Sequence, residues 1–316
     1  MDTAIEVQGL VKAYDGRRVL DGVDLTVGRG AVACLLGPNG AGKTTAVRIM
    51  TTLAEPDGGR VRVAGHDVVT ARAEVRQRIS LTGQQTAIDA VLTGTENLEM
   101  MGRLRGLSRA AAATRAAELL ARFDLVDAAS RRVATYSGGM RRRIDIAAGL
   151  VVAPEVIFLD EPTTGLDPRS RLAMWEVVAE LATGGTTVLL TTQYLDEAER
   201  LADRIAVLDG GRIVAEGTPS DLKRAVGDER LVLTATDRAA LDRLVLAARD
   251  LDPRLEVDAC AVSVASDGRA STVRALLDHL DPEHTLVDRF DLRGATLDDV
   301  FLALTASTDR EAVAHG

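Results

Sequence analysis

Aromatic residues are scarce in this chain. Phe, Trp and Tyr make up 3% of its 316 residues, with a single tryptophan. The 46% apolar content is ample for a buried interior, but Ala, Val and Leu must build it. Long apolar runs are missing too. No window reads as an 18-residue span, so no transmembrane helix is expected. Residues 1–15 read as a charged strand without the apolar stretch of a signal peptide. Cys34 and Cys260 are the only cysteines and lie far apart. They are expected to be buried thiols of a cytosolic protein and not a disulfide or metal pair. His66, His279, His284 and His315 show no metal-ligand spacing. A basic stripe is also lacking. The net charge is −9, and from Asp228 onward 18 acidic and 10 basic residues leave −8, so the first 227 residues carry only −1. That balance speaks against nucleic acid as a partner. The densest basic run, Arg141-Arg142-Arg143, falls in an expected helix and is read as local pairing. There is no internal repeat and no low-complexity segment.

Against these absences stands one strong presence: Gly37-Pro38-Asn39-Gly40-Ala41-Gly42-Lys43-Thr44 fits G-x-x-x-x-G-K-[ST], the phosphate-binding loop of nucleoside-triphosphate proteins. An apolar run, 31–36, precedes it as an expected strand, and a helical stretch begins with Thr45. The glycines let successive backbone N–H groups turn inward toward phosphate oxygens, and the helix start adds its positive dipole end. Lys43 is expected to reach the β- and γ-phosphates, and Thr44 to ligate Mg2+.

Residues 3–14 and 19–27 alternate as an antiparallel hairpin around Asp15-Gly16-Arg17. From Asn97 to Ala134 the pattern becomes helical, with Leu119, Leu120, Phe123 and Leu125 as apolar anchors of an insertion. Runs 156–159 and 187–190 read as parallel strands covered on both faces, separated by helices, hence an α/β core. Past about residue 226 the tail alternates: strand 231–236, helix 238–249, strand 255–265, helix 270–280, strand 285–292 and a short helix 296–305. This is expected to be a small α+β domain over 227–306, followed by a flexible tail, 307–316.

The run 156–159 ends in Asp160-Glu161, at the strand end where open α/β sheets bind ligands. Asp160 is placed to hold Mg2+, and Glu161 to orient and deprotonate an attacking water. Farther upstream, Ser137 can cap a helix that opens with Gly138 and Gly139.

The order phosphate loop, Tyr136-Ser137-Gly138-Gly139-Met140, Asp160-Glu161, then Thr164-Gly165-Leu166-Asp167 resembles the ATP-binding-cassette (ABC) family over roughly residues 3–225. Within it, Ser80-Leu81-Thr82-Gly83-Gln84, Tyr136 to Arg143, Thr191 to Ala198 and Ala295 to Leu302 resemble daunorubicin-resistance-type drug-exporter ATPases. The resemblance implies an ABC-type P-loop NTPase core with an antiparallel β subdomain, residues 1–226, and a helical subdomain at about 85–136. It implies ATP and Mg2+ held by residues 37–44 and Thr45, with adenine stacked on Tyr14. Gln84, with Gln85 next to it, matches a glutamine that senses Mg2+ and attacking water. Ser137, Gly138, Gly139 and Met140 match a signature that contacts the γ-phosphate bound by an opposite subunit, and Asp167 an aspartate that links the two sites. A head-to-tail homodimer follows. Gln193 departs from the family, which usually has histidine there. An amide can still donate to phosphate but carries no charge or mobile proton.

The resemblance further implies a motor on the cytoplasmic side of the cell membrane, driving a separate transmembrane permease that moves small-molecule cargo. A drug-like cargo is the first reading, and a lipid, polysaccharide or peptide cargo is the alternative, since the motifs do not specify cargo. A soluble cassette ATPase acting on ribosomes or DNA fits less well, given one cassette, no heptad run and an acidic tail. Trp175 is read as core or interface packing.

Overall fold

Two residues turn the first hairpin. Asp15 and Gly16 both have positive φ, 49° and 80°, the backbone of a tight primed turn that matches strand twist. They join β1 (Thr3–Tyr14) to antiparallel β2 (Arg17–Gly28). The computed structural model describes residues 2–83, 87–226, 229–294 and 296–301. It divides into two units, Met1–Pro219 and Ser220–Gly316. The helix on which the cut falls therefore lies slightly ahead of the boundary expected near 226.

In the first unit, β3 (Val32–Leu36) is buried along its whole length and leads through the glycine-rich loop into α1 (Lys43–Met50). β4 (Gly58–Val63) and β5 (His66–Asp67) complete an antiparallel four-stranded sheet in the order β2-β1-β4-β5. After α2 (Arg72–Arg78) comes β6 (Ile79–Thr82), followed by α3 (Gly94–Leu104), α4 (Arg109–Arg122) and α5 (Gly138–Gly149). β7 (Val156–Asp160), α6 (Pro168–Thr183), β8 (Thr187–Thr192), α7 (Leu195–Leu201), β9 (Arg204–Asp209) and β10 (Arg212–Gly217) follow. The second sheet runs β10-β9-β3-β8-β7-β6, parallel except for the β9–β10 hairpin. Its central strands β3, β7 and β8 are buried at every position, which explains why they read as continuous apolar runs.

Short side chains replace rings in the core. Phe158 is the sole aromatic in the cluster that joins the two sheets and α1, which otherwise consists of Val, Leu, Ile, Ala and Met. In the helical segment, Thr93 and Glu96 form a reciprocal cap on α3, and the Ser108 hydroxyl accepts from Ala111 N–H on α4. The two helices approach closely, since a Cβ on Gly102 would lie 2.9 Å from Ala112 Cβ. Leu119, Leu120, Phe123 and Leu125 are buried, so these anchors serve the segment's own packing. Leu104, Val91 and Val126 are its exposed apolar side chains.

The second unit starts in α8 (Pro219–Val226) and builds an antiparallel sheet in the order β12-β13-β11-β14 from β11 (Arg230–Ala235), β12 (Arg254–Glu256), β13 (Ala261–Ala265) and β14 (Val287–Arg293). Helices α9 (Arg238–Ala247) and α10 (Ala270–Leu280) bury Leu241, Leu244, Val273 and Leu280 against its Leu231, Leu233, Val262 and Val264. The single strand expected over 255–265 is corrected here. Residues 257–260 form a turn in which Cys260 takes φ 50°, and β12 folds back to pair with β13. Both cysteines are free, Cys34 buried and Cys260 partly so. Residues 297–301 are helical, and the rest of the helix expected to 305 lies outside the described residues. Among the described residues no helix is long and apolar enough to cross a membrane.

Candidate active site

The phosphate loop needs its glycines for specific reasons. A Cβ on Gly37 would run into the Leu208 carbonyl, and Gly37 N–H donates to Thr192 O across 3.2 Å. Gly42 sits at φ 109°, where a Cβ would come 2.8 Å from Val19 O. Helix α1 then begins with no side-chain cap and no acidic residue in its first turn. Its first N–H groups are therefore left for an anionic ligand. Most other long helices of this unit are capped instead by Thr93, Ser108, Ser137 or Asp167.

Lys43 is buried, and its ammonium donates to Gly37 O at 2.7 Å and Pro38 O at 3.0 Å. The same nitrogen lies 3.5 Å from Glu161 Oε1. Sheet order explains this meeting. β8 lies between β3 and β7, with Asp160 in register with Thr191 and Leu36 with Thr192, so the ends of all three strands reach one level. Asp160 is buried, with Thr44 Oγ1 at 3.4 Å and Thr191 Oγ1 at 2.6 Å from its Oδ1. Glu161 takes φ 50°, an uncommon conformation for a residue with a side chain, and its N–H is held by both Thr191 O and Thr191 Oγ1. Thr164 Oγ1 lies 3.4 Å from Glu161 Oε2.

These groups open into a cleft of about 470 Å³ lined by Val19, Asn39, Gly40, Gly42, Lys43, Thr44, Thr45, Glu161, Thr164 and Gln193. A larger cleft of about 560 Å³ lies beside α10 and β14 in the C-terminal unit. Its walls hold neither an anion-binding loop nor paired strand-end carboxylates, so the chemistry belongs to the smaller one. The donor set of that smaller cleft suits a hard divalent cation: a hydroxyl and a carboxylate from the chain, with room for phosphate oxygens and water.

Other expected residues lie elsewhere. Tyr14 ends β1 and is 45% exposed, its ring beneath the Lys12 ammonium at 5.3 Å, and it is not part of the cleft wall. Gln84 and Gln85 lie outside the described residues. The Ser137 hydroxyl accepts from Met140 N–H at 3.2 Å, and Ser137 and Gly138 are exposed. A Cβ on Gly139 would clash with the Ser170 side chain. Ser170 in turn is held by Asp167, which accepts from its N–H at 3.0 Å and its hydroxyl at 2.6 Å. Those bonds hold the Asp167 carboxyl below its ordinary pKa, and Asp167 caps α6. The signature and Asp167 thus adjoin each other and lie apart from the chain's own cleft.

Two residues carry no role of their own in the sequence pattern. Thr191 reads only as part of the stretch 191–198 that resembles drug-exporter ATPases, yet its hydroxyl joins Asp160 to the Glu161 backbone. Glu197 reads as one acid in a polar stretch, yet it is fully buried and accepts from Trp175 Nε1 at 3.2 Å. Its distance from Trp175, 22 residues, spans α6 and β8, so no local pattern signals it. The expected local pairing of the basic run holds for Arg141, which bonds the carbonyls of Ala134 and Tyr136, but Arg143 reaches back 19 and 20 residues to the carbonyls of Asp124 and Phe123.

Known proteins share this arrangement. Residues 20–164 match the ABC transporter family. The chain is 54% identical over 305 residues to the daunorubicin/doxorubicin resistance ATP-binding protein of Streptomyces peucetius, covering 96% of this chain and 92% of that one. It is 37% identical to a Nod factor export ATP-binding protein of Ralstonia nicotianae, covering 97% and 95%. Among solved structures, a dimeric ATP-binding cassette in a post-hydrolysis state with ADP and Pi aligns at TM-score 0.62 and 25% identity, over 68% of this chain and 98% of that one. With a phosphate loop, a serine-capped signature helix and strand-end carboxylates in this order, the chain belongs to the ATP-binding proteins of the ABC transporter family and is an ATPase.

Proposed function

We propose that this chain is the ATP-hydrolysing motor of an exporter, working as a head-to-tail pair on the cytoplasmic side of the cell membrane beside a separate permease, with a drug-like small molecule as cargo. The observation that carries the paired arrangement is the position of Ser137, Gly138 and Gly139. They form a helix start in which Ser137 and Gly138 are exposed and Gly139 is buried, and none of them lines the chain's own cleft. Its natural ligand is then the phosphate held by a second copy, and the solved dimeric cassette supports that reading.

In this reading Gly37 to Thr45 wrap the phosphates, and Lys43 trades its carbonyl bonds for phosphate oxygens. Thr44 and Asp160 would hold Mg2+, which when bound offsets phosphate charge. Glu161 accepts the proton of the attacking water, held in its bent backbone by Thr191. Gln193 donates an amide to the γ-phosphate, and Gln84 serves as the Mg2+ and water sensor. Tyr14 offers its exposed ring to adenine, and Asp167 links the two sites. Residues 1–226 are the ATP-binding domain, and 227–306 an accessory module.

Drug cargo rests on the 54% identical resistance protein, against 37% for the Nod factor exporter. The test is efflux of a fluorescent amphipathic drug from cells making this chain together with its permease. Efflux should require ATP and stop with Lys43→Ala. Equal efflux by that variant overturns the motor assignment. Efflux of lipid or oligosaccharide but not drug overturns the cargo.

A further inference from the structure

We propose that Arg142 is a positioning residue coupling the two nucleotide sites of the pair, because its guanidinium ties the signature helix α5 to the backbone on both sides of Glu161. The inference rests on the head-to-tail reading above.

Arg142 lies about one turn inside α5, whose start is the Ser137 cap. Its side chain is 11% exposed. Nε donates to Pro162 O at 3.0 Å and one terminal nitrogen to Asp160 O at 3.1 Å, the two residues that flank Glu161. The other terminal nitrogen donates to Gly83 O at 2.7 Å, at the end of the β6 segment. One planar group thus holds three carbonyls from two separate chain segments. Guanidinium can do this because its donors are fixed in a fork, whereas an ammonium is a single point of charge on a flexible stem.

The charge pair with Asp145 does not account for this residue. Its buried partner Asp145 stands 3.6 Å away, and Asp145 Oδ2 makes no hydrogen bond among the described residues. Burial moves both groups toward their neutral forms, holding the Arg142 pKa below its ordinary value and the Asp145 pKa above. Such a pair is a poor stabiliser beside an apolar replacement of similar volume. What it supplies is connection. α5 begins at the surface that meets the partner's phosphate, and Arg142 carries any shift of that helix to the carbonyls of Asp160 and Pro162. The backbone of Glu161, already bent at φ 50°, must follow. Occupancy of one site then sets the carboxylate of the other.

The experiment uses the full-length chain. ATPase rate is measured against ATP concentration for the parent, Arg142→Lys, Arg142→Met and the apolar pair Arg142→Met with Asp145→Leu. The double variant leaves no unpaired buried charge, but the Gly83, Asp160 and Pro162 carbonyls and the Ala87 N–H lose their partner, so melting is measured for every variant and rates are compared where all are folded. The parent should show a Hill coefficient approaching about 2, the number of sites. Arg142→Lys and the double variant should melt below the parent but stay folded at the assay temperature, with parent-like nucleotide affinity. Their Hill coefficient should fall to about 1, and kcat should fall about tenfold. A folded variant with parent-like cooperativity and turnover overturns the coupling while leaving the ATPase reading intact. A parent that neither dimerises with ATP nor cooperates overturns the head-to-tail reading, and the coupling with it.

Discussion

The Thr191 hydroxyl stands 2.6 Å from Asp160 Oδ1 and 3.0 Å from the Glu161 backbone nitrogen, so one fully buried side chain orders both carboxylates of the site. It donates to the first and accepts from the second, which uses both capacities of a hydroxyl. Valine has nearly its shape and neither capacity. Thr191→Val should therefore lower ATP turnover about 10- to 100-fold and raise the Mg2+ concentration needed for half-maximal rate. Thr191→Ser should restore most of both. An Mg2+ titration at saturating ATP separates these outcomes, and a valine variant with the parent's curve would show the hydroxyl to be structural.

Lys43 gives its three protons to Gly37 O, Pro38 O and the neighbourhood of Glu161. Glu161 and Lys43 itself line the cleft, and Gly37 and Pro38 open the phosphate loop, so the ammonium is already aimed where phosphates would sit. Each charge-assisted bond is worth about 1.5–3 kcal/mol. Lys43→Ala should weaken ATP binding about 10- to 100-fold, read by equilibrium titration with a fluorescent nucleotide. Unchanged affinity would contradict the loop's assignment.

Glu161→Gln keeps the shape of the side chain and removes its basicity. Hydrolysis should drop about 10²- to 10⁴-fold, the usual worth of a positioned base. ATP binding should survive, and a nucleotide-loaded dimer should accumulate on size-exclusion chromatography. Steady-state hydrolysis at the parent's rate would remove Glu161 from its role.

The parts of this site visible in the sequence were those contiguous in the chain. The phosphate loop runs unbroken from Gly37 to Thr44, and Asp160-Glu161 is a pair of neighbours, so both could be read without knowing the sheet. Thr191 and Arg142 act on those carboxylates from other elements. Their meaning depends on β8 lying next to β7 and on α5 packing across it, and neither is a property of local spacing. In the C-terminal unit the alternation of 255–265 suits one long strand, and it misled because Cys260 adopts a left-handed turn that pattern alone does not reveal. Scarce aromatics foretold the aliphatic core correctly, since composition is insensitive to topology.

Gln193 lines the cleft directly after β8, where its amide can donate but cannot titrate. Gln193→His should speed turnover and add a pH response centred near the ordinary imidazole value of about 6.5. The check is kcat against pH for both chains. Equal rates across the range would show that this side chain does not limit the chemistry.

Glu197 is buried under the strand ends with Trp175 Nε1 at 3.2 Å, and its Oε2 makes no hydrogen bond among the described residues. Burial is the main cause that raises its pKa, aided by Asp196, against the pull of the Thr192 and Thr163 hydroxyls and the Trp175 N–H. Arg142 on α5 and the Cys34 thiol on β3 also sense its charge. The sign follows from proton counting. Between the ordinary glutamate value and the raised one, the folded chain binds more protons than the unfolded chain, so stability falls as pH rises through that window. Glu197→Gln keeps an acceptor for Trp175 and never ionises. Its melting temperature should match the parent's at the acid end of the window and exceed it at neutral pH, with the gap opening across the window. Because Trp175 is the chain's sole tryptophan, its emission should shift with pH over the same range in the parent and stay fixed in the variant. Parallel melting curves with no pH-linked emission change would mean that Glu197 does not titrate differently on folding.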